Sequence, residues 1–231
     1  VDLDPQGNAT TGLGFDRTNL KHSIYEILTE DGSVTDVICN TELTHLFLVP
    51  ATRDLVGVEI ELVAAQRRES RLKDALQGVR ADYDYVLIDC PPSLGLLTLN
   101  ALVAADYLLV PIQCEYYALE GLSSIVETIK LVQRSLNPEL ALAGILLTMF
   151  DSRNRLAHQV ADEVRRHFPG QVFDSIIYRN VRLSESPSHG KPVLLYDPQS
   201  MGAQNYLALA RELMTTEEVF NRAEKGSGER A

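Results

Sequence analysis

Tyr85-Val86-Leu87-Ile88-Asp89-Cys90-Pro91-Pro92 is a short aliphatic and β-branched run that ends in a carboxylate and then meets two prolines. Proline has no N–H to give to a ladder, so the run reads as a buried parallel strand that stops at Asp89. Similar apolar runs lie at 46–49, 107–112 and 143–148. Between them, 59–76, 119–136 and 156–168 carry apolar residues at three- and four-residue intervals, the spacing of helices with one buried face. The stretch 93–105 is more apolar and reads as a more buried helix, and Asn137-Pro138 marks the end of the helix before it. Alternation of this kind predicts an α/β fold: a doubly wound, mostly parallel sheet with helices on both faces. Such folds bind ligands at the carboxyl ends of their strands, so carboxylates placed there are the first residues to examine.

Two such places stand out. The chain opens Val1-Asp2-Leu3-Asp4-Pro5-Gln6-Gly7-Asn8-Ala9-Thr10, a strand end passing into a polar, glycine-containing turn. Alternate residues of a strand face opposite sides, which leaves two readings of Asp2 and Asp4. In one, a carboxylate serves a magnesium ion and the other an attacking water; in the other, both are solvated strand-end groups. Asp89 likewise has two readings, delivery of a carboxylate to a nucleotide-bound magnesium in the Walker B manner or capping of the next helix, for which Ser93 is the better placed residue.

The 231 residues, 45% of them hydrophobic, suffice for one substantial core, and no Pro/Gly/Ser-rich linker divides them. They read as one domain over 1–216 with a polar, frayed tail over 217–231. No signal-peptide pattern opens the chain and no apolar run approaches the roughly 18 residues of a membrane span, so a soluble cytoplasmic protein is expected. Cys39, Cys90 and Cys114 are odd in number and widely spaced, which predicts reduced core thiols rather than disulfides or a metal site. The five histidines show no metal-ligand spacing, and no transition metal is expected. A net charge of −11 excludes a protein coated in basic surface, so any DNA contact must come from a local patch. The first residue is Val1 and a motif follows at once, from which an N-terminal fragment is expected.

Taken in order along the chain, the blocks VDLDPQGNATTGLG, YDYVLIDCPPSLGLLTLNAL, AADYLLVPIQCEYYALEGLS, LNPELALAGILLTMFDSR and YRNVRLSESPSHGKPVLLYDPQSMGAQNYLALARE span Val1 to Glu212. This ordered set resembles the ParA/Soj family of ATPases that partition bacterial chromosomes and plasmids. The resemblance implies a P-loop NTPase-like fold, ATP and magnesium as cofactors, and a homodimer that sandwiches ATP and binds DNA non-specifically. It also implies release when a centromere-binding partner of the ParB type stimulates hydrolysis, and a nucleoid-associated life in the cytoplasm; the acidic, polar stretch 214–231 is no basic amphipathic helix, so no membrane binding is expected. Residue by residue, it implies Asp2 near the magnesium, Asp4 placing the attacking water, and Asp89 as the Walker B magnesium residue. It further implies 113–117 at the dimer interface with Glu115 reaching across, and Asn180 at adenine. Arg153 and Arg182 match the family's DNA-contacting positions, with Arg179 and Lys191 as neighbours. The other reading of these arginines is ordinary solvated side chains.

The sequence departs from the family pattern in one large respect. The glycine-rich loop with two lysines that precedes the Val-Asp-Leu-Asp element, together with its strand, is not among these residues, and no G-x-x-x-x-G-K-[ST] occurs elsewhere. That loop supplies the N–H groups and the lysine charge that hold the phosphates. The polypeptide as given is therefore expected not to hydrolyse ATP. Two alternatives follow: a nucleotide-independent DNA-binding or dimerisation module, or a related ATPase that positions another cargo, since fold does not fix function. Tyr178 stands where the family commonly has proline, and Ser186 where alanine is usual.

Overall fold

The computed structural model describes residues 1–30 and 32–228, with side chains described through Thr215. Its contacts divide the chain into two units. The first comprises Val1–Asp106, Ile129–Leu140 and Glu185–Pro192, and the second Tyr107–Thr128, Ala141–Ser184 and Val193–Ala231. Each unit draws on separated stretches of chain, which is why no linker composition marks the division.

In the first unit the chain runs through helices α1 (Asn8–Gly12) and α2 (Ile24–Thr29), strands β1 (Cys39–Asn40) and β2 (Phe47–Leu48), and helices α3 (Val58–Glu61), α4 (Arg71–Leu76) and α5 (Leu96–Ala104). β1 and β2 pair antiparallel. α2 starts at a capping box in which the Ser23 hydroxyl accepts from the Tyr25 N–H and the Glu26 carboxylate accepts from the Ser23 N–H. The apolar faces of these elements enclose Leu3, Ile24, Leu28, Leu55, Val58, Leu72 and Ala101 in one core. Buried Asn100 ties α4 to α5: its Oδ1 accepts from the Leu72 N–H while its Nδ2 donates to the carbonyls of Arg68 and Leu96.

Three expectations need correction here. The single helix expected over 59–76 is two short ones, α3 and α4, broken where Arg67 takes a left-handed φ of 53° ahead of a 3-10 turn. The strand expected over 85–89 is reduced to one parallel bridge between Asp2 and Asp89. Nor is it buried, since Tyr85 is 51% and Leu87 75% exposed. Its Asp89 N–H and carbonyl pair with Val1 and Leu3, so the ladder runs along one side only among the described residues. Finally, Ser93 does not cap α5. The Glu59 carboxylate reaches from α3 to accept the Leu96 N–H at 2.9 Å, and the anionic group at the helix start also suits the dipole.

The second unit holds the sheet that the pattern predicts. β3 (Tyr107–Gln113), β4 (Ala141–Phe150) and β5 (Val172–Tyr178) are parallel in the order β3-β4-β5, β3 pairing with β4 from Tyr107 opposite Ala141 to Gln113 opposite Thr148 with a one-residue shift between Leu108 and Leu109. Helices α6 (Ala118–Ser135), α7 (Arg155–His167), α8 (Val181–Glu185), α9 (Val193–Tyr196) and α10 (Met201–Gly228) accompany it. The two-residue period of β4 divides its side chains between two cores. Ile145 and Leu147 pack with Leu122 of α6 and with Ala157, Val160, Ala161 and Val164 of α7. Leu146, one residue out of phase, packs with Phe173, Ile177 and Leu209 of α10. Helices therefore cover both faces, as a parallel sheet requires.

α7 is specified locally at both ends: the Asn154 Oδ1 accepts the Leu156 N–H, and Arg165, Arg166 and His167 occupy the last turn. Gly144 lies against the Phe173 ring, which would stand 2.7 Å from an added Cβ. Edge strand β5 is blunted by α10, whose Glu212 carboxylate accepts the N–H groups of Asp174 and Ser175 at 2.7 and 2.9 Å. The helix continues into the segment read as a frayed tail; its backbone is helical to Gly228, and 229–231 lie outside the described residues.

The cysteines are free thiols, Cys114 buried and Cys39 and Cys90 half-buried. Burial pushes the Cys114 thiol up to about 11, against a smaller opposing effect of Arg165. At pH 8 the native protein should therefore alkylate at Cys114 at least about a hundredfold more slowly than the urea-unfolded chain, because only thiolate reacts. Timed iodoacetamide labelling read by mass spectrometry checks this.

Candidate functional site

In the first unit, backbone pairing gathers the acidic residues. The Asp2 N–H donates to the Val49 carbonyl at 2.9 Å, the Leu3 N–H to the Asp89 carbonyl at 2.8 Å, and the Asp89 N–H to the Val1 carbonyl at 2.9 Å. Asp2 and Asp89 thus stand side by side on parallel segments. The chain then turns: the Asp4 carbonyl accepts the Gly7 N–H at 2.8 Å, and the Asp4 Oδ1 accepts the Gln6 N–H at 2.9 Å. Gly7 has φ 60°, a left-handed backbone that lets α1 begin at Asn8. Arg17 lies over the turn, its guanidinium donating to the carbonyls of Pro5 and Gln6.

The three carboxylates have different surroundings. Asp2 is fully buried. Its Oδ2 accepts from the Thr10 N–H at 2.8 Å and the Thr10 hydroxyl at 2.6 Å, and its Oδ1 from the Asp4 N–H at 3.2 Å. Asp4 is half-buried with one oxygen committed to Gln6. Burial raises the Asp89 carboxyl above the usual carboxylate range, and the nearby charges of Asp2 and Asp4 raise it further. Asp2, expected near a metal, is an inward-facing group that accepts from three donors, two on Oδ2 and one on Oδ1.

The local negative field of Asp4 and Asp89 suits a divalent cation. Among the described residues no group of three or more His, Cys, Asp or Glu side chains forms a metal cage. Magnesium needs none, since it is commonly held by one or two carboxylates with water and phosphate oxygens completing the octahedron. The residues present thus fit the ion of a magnesium nucleotide. They do not supply a cradle for its phosphates, because no lysine-bearing glycine loop lies within 1–231.

In the second unit, the carboxyl ends of β4 and β5 bring basic residues together. The Arg179 N–H donates to the Phe150 carbonyl, which sets Arg179 beside the turn carrying Asp151 and Arg153. The Arg153 guanidinium bonds both oxygens of Asp151, at 3.1 and 3.2 Å, and holds that carboxyl below its usual range. Arg179 pairs with Glu115 at 3.4 Å, and Arg182 with Asp197 at 3.3 Å. Each of these three arginines therefore faces an acidic partner in its own unit. The Asn180 Oδ1 accepts the Arg182 N–H at 2.9 Å at the start of α8. Tyr116 and Tyr117, beside Glu115, are exposed and stacked edge to face at 5.2 Å. Lys191 is exposed in the first unit.

Thr10, Arg17 and Glu59 escaped the sequence reading. Thr10 follows Asp2 by eight residues, and only the turn through Gly7 brings them into contact; neither helical nor strand periodicity contains that spacing.

Residues 1–142 match a family model described as an AAA domain. The chain is 60% identical to the chromosome partitioning protein ParA of Myxococcus xanthus over 214 residues, 93% of this chain and 76% of that protein. It is 55% identical to the sporulation initiation inhibitor protein Soj of Bacillus subtilis over 213 residues, 92% of this chain and 84% of the relative. Among solved structures, a Mycobacterium smegmatis protein described as cobyrinic acid a,c-diamide synthase, with bound ADP and magnesium, superposes with a TM-score of 0.73 at 40% identity, covering 82% of this chain and 76% of that one.

Gly7→Ala should lower stability by about 1–2 kcal/mol, the cost of a left-handed backbone for an L-residue. The added methyl also meets the Arg17 guanidinium, whose Nε would lie 2.5 Å away. A shift of the urea midpoint with an unchanged slope would report it.

Proposed function

We propose a function for this chain from one premise: it belongs to the ParA/Soj family of chromosome-partitioning ATPases. The observation that carries the site assignment is the strand-end pair of Asp4 and Asp89, drawn together by the parallel bridge from Asp2 to Asp89. On this reading Asp89 holds magnesium, directly or through water, and Asp4 directs the attacking water with the oxygen not bonded to Gln6. The ion, when bound, neutralises charge on the transferring phosphoryl group. Asn180 contacts adenine, and Glu115, beside the exposed Tyr116–Tyr117 pair, crosses to a second copy in a homodimer closed around ATP. That dimer binds DNA non-specifically through Arg153, Arg179 and Arg182, with Lys191 contributing, and hydrolysis stimulated by a ParB-type centromere-binding protein releases it. The setting is the nucleoid in the cytoplasm. No helix among the described residues is long and apolar enough to cross a membrane.

Residues 1–231 supply the carboxylate side of this chemistry and not the phosphate cradle. Phosphoryl transfer depends on positioning and electrostatic stabilisation of the phosphates, to which such a loop contributes heavily. The polypeptide of residues 1–231 should therefore show no ATP turnover above a no-protein control, with magnesium and DNA present. A form carrying an in-frame glycine-rich, lysine-bearing loop ahead of Val1 should turn over ATP and lose at least about a hundredfold in kcat on Asp4→Ala, a scale expected for loss of a positioned catalytic group. A fully active Asp4→Ala in that form would overturn the assignment.

The retained arginines favour a second reading, DNA binding independent of nucleotide. Either way, Arg153→Ala and Arg182→Ala should each weaken DNA retention and reduce the slope of log affinity against log salt by about one. Binding titrations at several salt concentrations, with and without ATP, measure both effects. Equal retention with and without ATP supports the second reading over the first.

A further inference from the structure

We propose that Asp2 is the positioning residue for Asp4, acting through the bridge Asp2–Thr10–Ala51, with Arg17 bracing the same turn from outside. The inference rests on the reading above only in taking Asp4 to direct the water; the brace itself is read from geometry.

Three donors converge on the Asp2 carboxylate, and one of them is the N–H of Asp4 itself, at 3.2 Å. The Thr10 hydroxyl cannot turn away. It accepts the Ala51 N–H at 3.0 Å, which leaves its proton for Asp2 at 2.6 Å. Thr10 is fully buried, as are Asp2 and Ala51, so no water competes for these bonds, and each is stronger for the low local dielectric. The anchor is also rigidly mounted, because the Asp2 backbone donates to Val49 while Leu3 and Asp89 pair beside it. The Asp4 amide is thus fixed relative to the segment that carries Asp89.

Such a brace has work to do. Asp4 and Asp89 are like charges, and a four-residue turn with a left-handed glycine could let Asp4 swing outward from Asp89. Asp2 holds the turn from within. Arg17 holds it from without, through the Pro5 and Gln6 carbonyls.

Amide hydrogen exchange on residues 1–231 tests the brace without nucleotide. In Thr10→Val, which keeps the shape and loses both hydroxyl bonds, the Gln6 and Gly7 amides that bond to Asp4 should exchange at least tenfold faster. Thr10→Ser should restore near-native rates, and α7 should be unchanged in both. Native exchange at Gln6 and Gly7 in Thr10→Val, or a Ser variant as fast as Val, overturns the proposal. Should Thr10→Val fail to fold, Arg17→Ala carries the same readout at a half-exposed side chain, and native exchange there overturns it. In the loop-bearing form, Thr10→Val should lower kcat at least tenfold at unchanged KM for ATP, with Ser restoring it. Unchanged kcat in Thr10→Val beside an inactive Asp4→Ala overturns the coupling to catalysis. An active Asp4→Ala instead defeats the role given to Asp4, and the exchange result still decides the brace.

Discussion

The acidic site depends on the parallel pairing of Val1–Leu3 with the segment ending at Asp89. Those few backbone hydrogen bonds place three carboxylates in one partly buried corner, where like charges would otherwise separate. The fold answers the conflict by turning Asp2 inward, where three N–H and O–H donors meet its carboxylate. The same logic explains why a turn containing Gly7 must intervene, since Thr10 reaches Asp2 only when the chain reverses.

The second unit shows a different balance. Its sheet is held by apolar burial on two faces, with successive β4 residues committed to opposite cores. Charge appears at the carboxyl ends of β4 and β5, where Arg153, Arg179 and Arg182 each lie against an acid. These pairs are solvent-exposed, and exposed ion pairs add little to stability.

The amino-acid sequence by itself determined the α/β class, the strands at β3 and β4, the helices α6 and α7, and the family, because periodicity and ordered motifs are properties of the linear chain. It also drew attention to Asp2, Asp4 and Asp89 as strand-end carboxylates. It misjudged 59–76 and 85–89. A helical apolar spacing says nothing of the left-handed break at Arg67, and an aliphatic run says nothing of whether both of its edges find partners. Only the tertiary structure decided which carboxylate faces inward, that Thr10 and Ala51 complete its shell, that Glu59 rather than Ser93 caps α5, and that each arginine has an acid beside it. Those relations join residues from separate turns and strands, and their hydrogen bonds depend on ångström-scale placement that no spacing along the chain encodes.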